Sequence, residues 1–187
     1  CGNAIRCAAR YAWDSDWARH EPLRILTAAG LRVLHRAPQN AVTAAMGRPS
    51  PLSGSPIRWQ EQTLTRLSVG NPHGVLFCRD VAGFPLAEAA AEIAKTTRLN
   101  LEAVEPLGQN RLKMRVWERG VGETPACGTG ACAAAVAATL KKLCDRSRPV
   151  SVEMPGGTVS VCWQADGRLL LTGEARFVFR GEWPQED

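Results

Sequence analysis

The chain has 187 residues, 45% of them apolar, which suits one large domain or two small ones around a sizeable core. No apolar run approaches the roughly 20 residues that a membrane helix needs, and Cys1-Gly2-Asn3-Ala4 has neither the basic nor the apolar region of a signal peptide. Twenty-three Lys and Arg against 18 Asp and Glu give a net charge of +5, with Lys141, Lys142, Arg146 and Arg148 clustered. No nucleic-acid-binding motif accompanies that charge, so it reads as a solvated basic surface.

Residues 1–19 read as a helix that starts at Gly2-Asn3 and buries Cys7, Ala8, Tyr11 and Ala12. A second helical stretch is predicted over Glu21–Ala29, ended by Gly30. Leu31–His35 and Ala41–Ala45 read as strands joined by the turn residues Pro38-Gln39-Asn40. Met46–Pro56, rich in Gly, Pro and Ser, is the linker candidate. Strands are predicted at Gln62–Val69, Gly74–Arg79, Arg98–Val104 and Leu112–Glu118, with a helix over Ala87–Ala94. Gly130–Cys144 is an alanine-rich helix whose apolar stripe is Ala133, Val136, Ala137 and Leu140. Val150–Glu153, Thr158–Gln164, Leu169–Thr172 and Ala175–Arg180 complete the strands, separated by glycine-bearing turns. Many strands and one long helix in the second half indicate an α+β fold with a sheet wrapped on a helix.

Seven cysteines stand at positions 1, 7, 78, 127, 132, 144 and 162, without CxxC pairs, and there are only three histidines, so a zinc site is not expected. Without a secretory signal they read as free thiols of a reducing cytoplasm. Cys7, Cys78, Cys132, Cys144 and Cys162 read as ordinary small core residues. Cys127 differs because it opens Cys127-Gly128-Thr129-Gly130 at a helix start. There the first-turn N–H groups lack internal partners and carry about half a positive charge in sum. Glycines let a ligand approach that backbone, and a thiolate is stabilised there, its pKa lowered. The Lys-Ser/Thr tail of a phosphate-binding P-loop is missing. Cys1-Gly2-Asn3 repeats the arrangement, again followed by a second cysteine and an alanine-rich helix, which points to two similar units facing one another. Two such sites face to face suit an inversion: a carboxylate held between two helix N-termini, with one sulfur taking an α-proton and the other returning one on the opposite face.

At these residues the chain resembles the diaminopimelate epimerase family, within the cofactor-independent racemases and epimerases. The resemblance is carried by Cys1-Gly2-Asn3 with Arg6-Cys7, Met46-Gly47, Gly70-Asn71-Pro72-His73, Leu99-Asn100, Trp117-Glu118-Arg119-Gly120, Gly122-Glu123-Thr124, Ala126–Cys132, Pro155-Gly156-Gly157 and Phe177-Val178-Phe179. It implies that Cys1 and Cys127 are the acid and base, flanked by Glu118 and His73. Gly2, Asn3, Gly128 and Thr129 would meet the reacting carboxylate. Asn71, Asn100 and Arg119 would hold the distal amino-acid end, a task that suits a bidentate arginine, and Glu118 would also face the substrate. The implied reaction interconverts LL- and meso-diaminopimelate, in lysine and peptidoglycan-precursor synthesis, without PLP, metal or nucleotide. The partner is a small-molecule substrate rather than nucleic acid or membrane, and a homodimer is one assembly left open.

The chain departs from the family pattern at Ala4, where a glycine is usual, and at Pro125, where a leucine is usual and which stiffens the loop before Cys127. It also starts at a motif residue, without Met, so the first domain is expected to be incomplete. The expected architecture is two pseudo-symmetric α+β domains, each a mixed or antiparallel sheet around a central helix. The first comprises residues 1–47 plus 174–187 and the second residues 48–173, with the active site between them. A related racemase acting on another amino acid, and a fragment that folds without turnover, stay open as alternatives.

Overall fold

The computed structural model describes residues 1–28 and 30–182. The chain starts with helix α1 (Gly2–Asp14), followed by strands β1 (Leu23–Thr27), β2 (Gly30–Arg36) and β3 (Ala41–Gly47). Next come short β4 (Ser50–Pro51), β5 (Arg58–Trp59) and β6 (Gln62–Thr63), then β7 (Thr65–Ser68), β8 (Pro72–Phe77) and helix α2 (Leu86–Ile93). The second half holds β9 (Asn100–Gly108), β10 (Arg111–Glu118), β11 (Gly122–Thr124), helix α3 (Gly128–Leu140), β12 (Pro149–Met154), β13 (Gly157–Trp163) and β14 (Leu169–Glu174).

The fold is mixed α+β. Among the described residues, 12 strands form one sheet in the order β1-β2-β3-β14-β13-β12-β10-β9-β8-β7-β4, with β11 added beside β10. The β8–β9 and β10–β12 pairs are parallel and the others antiparallel. Helix α3 lies in the curve of this sheet, against strands from β7 to β14. Every residue from Gly130 to Ala138 is buried, so α3 is apolar all round and covered all round, as such a helix must be. Its alanines keep it thin enough for strands to approach on several sides. The predicted single stripe was therefore too narrow, and Leu140, its expected last member, is 59% exposed. A second cluster forms around α2, from Leu86, Ala89 and Ile93 with Phe84 and Leu101. A third forms under α1, from Ala9 and Trp13 with Leu34, Val42 and Ala44.

Four local readings are corrected. Helix α1 stops at Asp14 and buries Gly2, Arg6, Ala9 and Trp13, while Cys7, Ala8 and Tyr11 face outward. An alanine-rich helix offers little contrast between faces, and Trp13, with Ala9 one turn before it, chose the side. Glu21–Ala29 contains no helix among its described residues but strand β1, whose Leu23, Ile25 and Thr27 are half-buried in alternation. Ala29 lies outside the described residues. The Gly/Pro-rich stretch Met46–Pro56 is partly in the sheet, since Met46–Gly47 end β3 and Ser50–Pro51 pair with β7. Ala175–Arg180 carries no strand, and Phe177, Val178 and Phe179 stand exposed. No helix among the described residues is long and apolar enough to cross a membrane.

Candidate active site

The two Cys-Gly motifs meet. Cys1 caps α1 and Cys127 caps α3, and their following glycines pack together: a Cβ on Gly128 would fall 3.4 Å from the Cα of Gly2. Both glycines also press on Leu171 Cδ2, at 3.0 Å from a Cβ on Gly2 and 3.1 Å from one on Gly128. Two helix N-termini, each the positive end of its dipole, therefore open on one cavity of about 710 Å³. Cys1, Asn3, Asn71, Glu118, Cys127 and Thr129 are on its wall, with Gly2 and Gly128 between them.

Cys127 has the extended backbone of an N-cap, φ −133° and ψ 114°. Its sulfur accepts the Gly130 N–H at 3.4 Å and lies 3.4 Å from Thr129 Oγ1. The expectation of a lowered pKa is not met. Burial pushes the Cys127 thiol above its ordinary value, against the opposing pull of the Thr129 and Gly130 hydrogen bonds. All seven cysteines are free thiols; Cys1 and Cys7 are exposed, and Cys127, Cys132 and Cys144 buried. Among the five read as core residues, only Cys132 and Cys144 are fully so.

The buried polar or charged residues among the described ones are Arg6, His73, Asn100 and Glu102, and all four brace this site. Arg6 donates from Nη1 to the Gly2 carbonyl at 3.0 Å and from Nη2 to Asn3 Oδ1 at 3.1 Å, holding the first turn of α1. Burial lowers its pKa from the ordinary arginine value. Asn100 donates from Nδ2 to the Pro72 carbonyl at 3.0 Å and accepts the Arg119 N–H on Oδ1 at 3.0 Å. It thereby ties the Asn71-Pro72-His73 segment to the Glu118-Arg119 turn. The parallel β8–β9 register, His73 beside Asn100, makes this possible.

His73 is fully buried, one layer behind the cavity. Its Nε2 is 3.0 Å from Asn71 Oδ1 and its Nδ1 is 2.6 Å from Glu102 Oε1. Glu102 lies under the first turn of α3, where a Cβ on Gly130 would come within 2.8 Å of Oε1. Glu118, at the end of β10, accepts the Thr124 hydroxyl at 2.5 Å. Arg119 is exposed on the following turn and does not line the cavity. That turn is fixed from outside by Arg115, whose guanidinium grips both Glu123 oxygens at 2.7 and 2.9 Å across the β10–β11 pair.

The structure thus brings Cys1, Gly2, Asn3, Asn71, Glu118, Cys127, Gly128 and Thr129 to one cavity. It places His73 and Asn100 behind the wall and Arg119 outside it. Sequence reasoning did not single out Arg6 or Glu102 as site residues. The available signal was a charge in an apolar setting, Glu102 within Leu101-Glu102-Ala103-Val104, and an arginine one turn into a helix that faces the core. Among the described residues no group of three or more His, Cys, Asp or Glu side chains is placed to hold a metal ion.

Residues 65–178 match the family model described as diaminopimelate epimerase. The diaminopimelate epimerase of Halorhodospira halophila is 41% identical over 202 aligned positions, which cover 97% of this chain and 69% of that protein. The enzyme of Synechococcus elongatus is 42% identical over 97% of this chain and 71% of its own length, and that of Moorella thermoacetica 38% over 98% and 74%. Among solved structures, a predicted epimerase from Pseudomonas aeruginosa superposes with a TM-score of 0.73 at 16% identity, covering 97% of this chain and 73% of that one. A hydroxyproline epimerase from Agrobacterium vitis, solved with trans-4-hydroxy-L-proline, gives 0.68 at 16% identity over 91% and 62%. At that identity the solved structures share the fold.

Proposed function

The chain belongs to the diaminopimelate epimerase family, and on that premise we propose that it interconverts LL- and meso-diaminopimelate by moving the α-proton between two sulfurs, Cys1 and Cys127, without a cofactor. The observation that carries this reading is the contact of Gly2 with Gly128, which sets both helix N-termini and both cysteines on one cavity.

In the forward direction a Cys1 thiolate takes the α-proton from one face of the substrate and becomes a thiol. The Cys127 thiol gives its proton to the opposite face and becomes a thiolate. The reverse reaction starts with the roles exchanged. Burial that keeps Cys127 protonated supports this starting arrangement. The cost of the step is negative charge gathering on the substrate carboxylate as Cα loses its proton. The N–H groups of Gly2, Asn3, Gly128 and Thr129 belong to first turns, where no intrahelical acceptor exists. They are fixed before the substrate arrives and so stabilise that charge without reorganising. Glu118 faces the reacting centre from the cavity wall, and Arg119, on the same turn, takes the distal carboxylate. Asn71 adds a neutral donor to the substrate.

In the same reading the chain divides into two units, residues 1–47 plus 174–187, of which 183–187 lie outside the described residues, and residues 48–173, with the cavity at their junction. The free cysteines fit a reducing cytoplasm.

The test is α-proton exchange in D₂O with diaminopimelate under reducing conditions, followed by NMR. Deuterium incorporation with inversion is expected from the protein and none from Cys127→Ala, which keeps its fold. Exchange retained in Cys127→Ala would sink the two-sulfur mechanism. Exchange absent from this chain and also from a longer chain spanning the full length of its relatives, of which this one covers 69–74%, would remove the diaminopimelate assignment.

A further inference from the structure

The pair His73–Glu102 has no contact with the cavity, yet both side chains are fully buried and 2.6 Å apart. Burying two ionisable groups in a core is costly unless they are tightly partnered. The flanking strand partners of Glu102 are Val75 and Val116, so the strands themselves offer it nothing polar. Its second oxygen, Oε2, has no hydrogen-bond partner. The pair leads to one other side chain, Asn71, through His73 Nε2.

An amide oxygen only accepts, so a bond from His73 Nε2 to Asn71 Oδ1 requires the proton on Nε2. That leaves Nδ1 facing Glu102 Oε1 with one proton between them. Either a protonated carboxyl donates to the ring, or an imidazolium donates to a carboxylate. Nε2–H points at Asn71 in both states. With Oδ1 held on the buried side, the NH₂ arm of Asn71 is the one left for the cavity that the residue lines.

We propose that Glu102 is a positioning residue for substrate recognition: acting through His73, it locks the Asn71 amide with its oxygen inward and its NH₂ toward the cavity, as a donor to a carboxylate of the substrate. Burial pushes the Glu102 carboxyl upward, opposed by His73, which favours the uncharged form of the pair. A neutral Glu102 also leaves the positive end of α3, directly above it, free for the substrate rather than spent on a buried anion. The inference rests on the epimerase reading above.

The test is a double-mutant cycle on KM with Asn71→Ala, using Glu102→Leu and Glu102→Gln, together with the ¹⁵N spectrum of the imidazoles in the ligand-free protein. Exchange by the parent, in this chain or in one spanning the full length of its relatives, is the control; absence from both sinks the epimerase reading and takes this one with it. Given that control, Glu102→Leu is expected to raise KM on the order of tenfold, the worth of one hydrogen bond to a charged group. It should add almost nothing once Asn71 is alanine. Glu102→Gln, whose amide can donate to Nδ1 and keep the tautomer, should cost no more than about threefold. Additive effects of Glu102→Leu and Asn71→Ala would overturn the proposal, as would a loss in Glu102→Gln equal to that in Glu102→Leu. The spectrum decides even where Glu102→Leu fails to fold. A proton on His73 Nε2 in the wild-type protein is expected, and an unprotonated Nε2 refutes the lock.

Discussion

Gly2 and Gly128 face each other at the start of two helices, so close that a Cβ on either would lie within 3.6 Å of the other's Cα, with Leu171 packed against both. Gly128→Ala would set a methyl 3.1 Å from Leu171 Cδ2 and 3.4 Å from the Gly2 Cα. The approach to the Gly2 backbone is ordinary contact, so it is the Leu171 side chain that must give by a few tenths of an ångström, and Leu171 packs on both helix starts. The expected result is a stability loss of about 1–3 kcal/mol with a fall in kcat of up to about 10²-fold, because small misplacements of reacting groups are costly. Urea unfolding and steady-state kinetics check it. Gly130→Ala should be worse for stability than Gly128→Ala, since its methyl meets the buried Glu102 oxygen at 2.8 Å.

Asn100 spans Pro72 and Arg119 with both ends of its amide. Asn100→Ala leaves a carbonyl and an N–H unpaired in a largely buried place, at about 1–3 kcal/mol. It should also raise KM, since Asn71 and Arg119 both lose their anchor. A variant with normal KM and lowered stability would confine Asn100 to a structural role.

Arg119 is exposed and makes no side-chain ion pair among the described residues. Arg119→Met should therefore leave stability within about 0.5 kcal/mol of the parent. If the guanidinium takes the distal carboxylate, KM for diaminopimelate rises roughly 10- to 100-fold. Exchange on an amino acid lacking that carboxylate should be insensitive to the change. Equal losses on both substrates would move Arg119 out of distal recognition.

Cys132 is fully buried in α3, and burial raises its thiol from 9.0 to about 12. The folded protein thus keeps a proton that the unfolded chain releases. The associated stability is fully present below pH ~9 and is lost as pH rises toward ~12, at about 2 kcal/mol between pH 9 and 10.5. Other raised cysteines act with the same sign, so the measurement is the difference between parent and Cys132→Ala. The parent's urea midpoint should fall more steeply above pH 9 than the variant's. Parallel curves would refute the assignment.

The site's ends were readable in sequence because their chemistry is local. A cysteine followed by Gly-Thr-Gly and an alanine run marks a helix start, whatever packs around it. What braces the site was not readable, because it depends on register between distant strands. From Asn100 to Val104 every residue of β9 is buried, so alternation gives no sign of which way Glu102 points. Strand β1 was hidden by Leu26, an apolar residue that is 81% exposed and breaks the in-out pattern of Leu23, Ile25 and Thr27. Arg6 was hidden by the ordinary rule that charge faces water, which fails where two carbonyl-type oxygens of its own first helical turn receive it.

The pairing of β3 with β14 joins residues 41–47 to residues 169–174. Among the described residues, that ladder is what joins the β1-β2-β3 meander to the rest of the sheet. Chains are made N-terminus first, so β3 is synthesised well before β14 and waits for it with one edge open. Until Leu169 to Glu174 arrive, this edge is an unpaired template of the kind that recruits neighbouring chains. The contact that creates the cavity is thus among the last to form, and refolded enzyme should regain secondary structure well before it regains turnover.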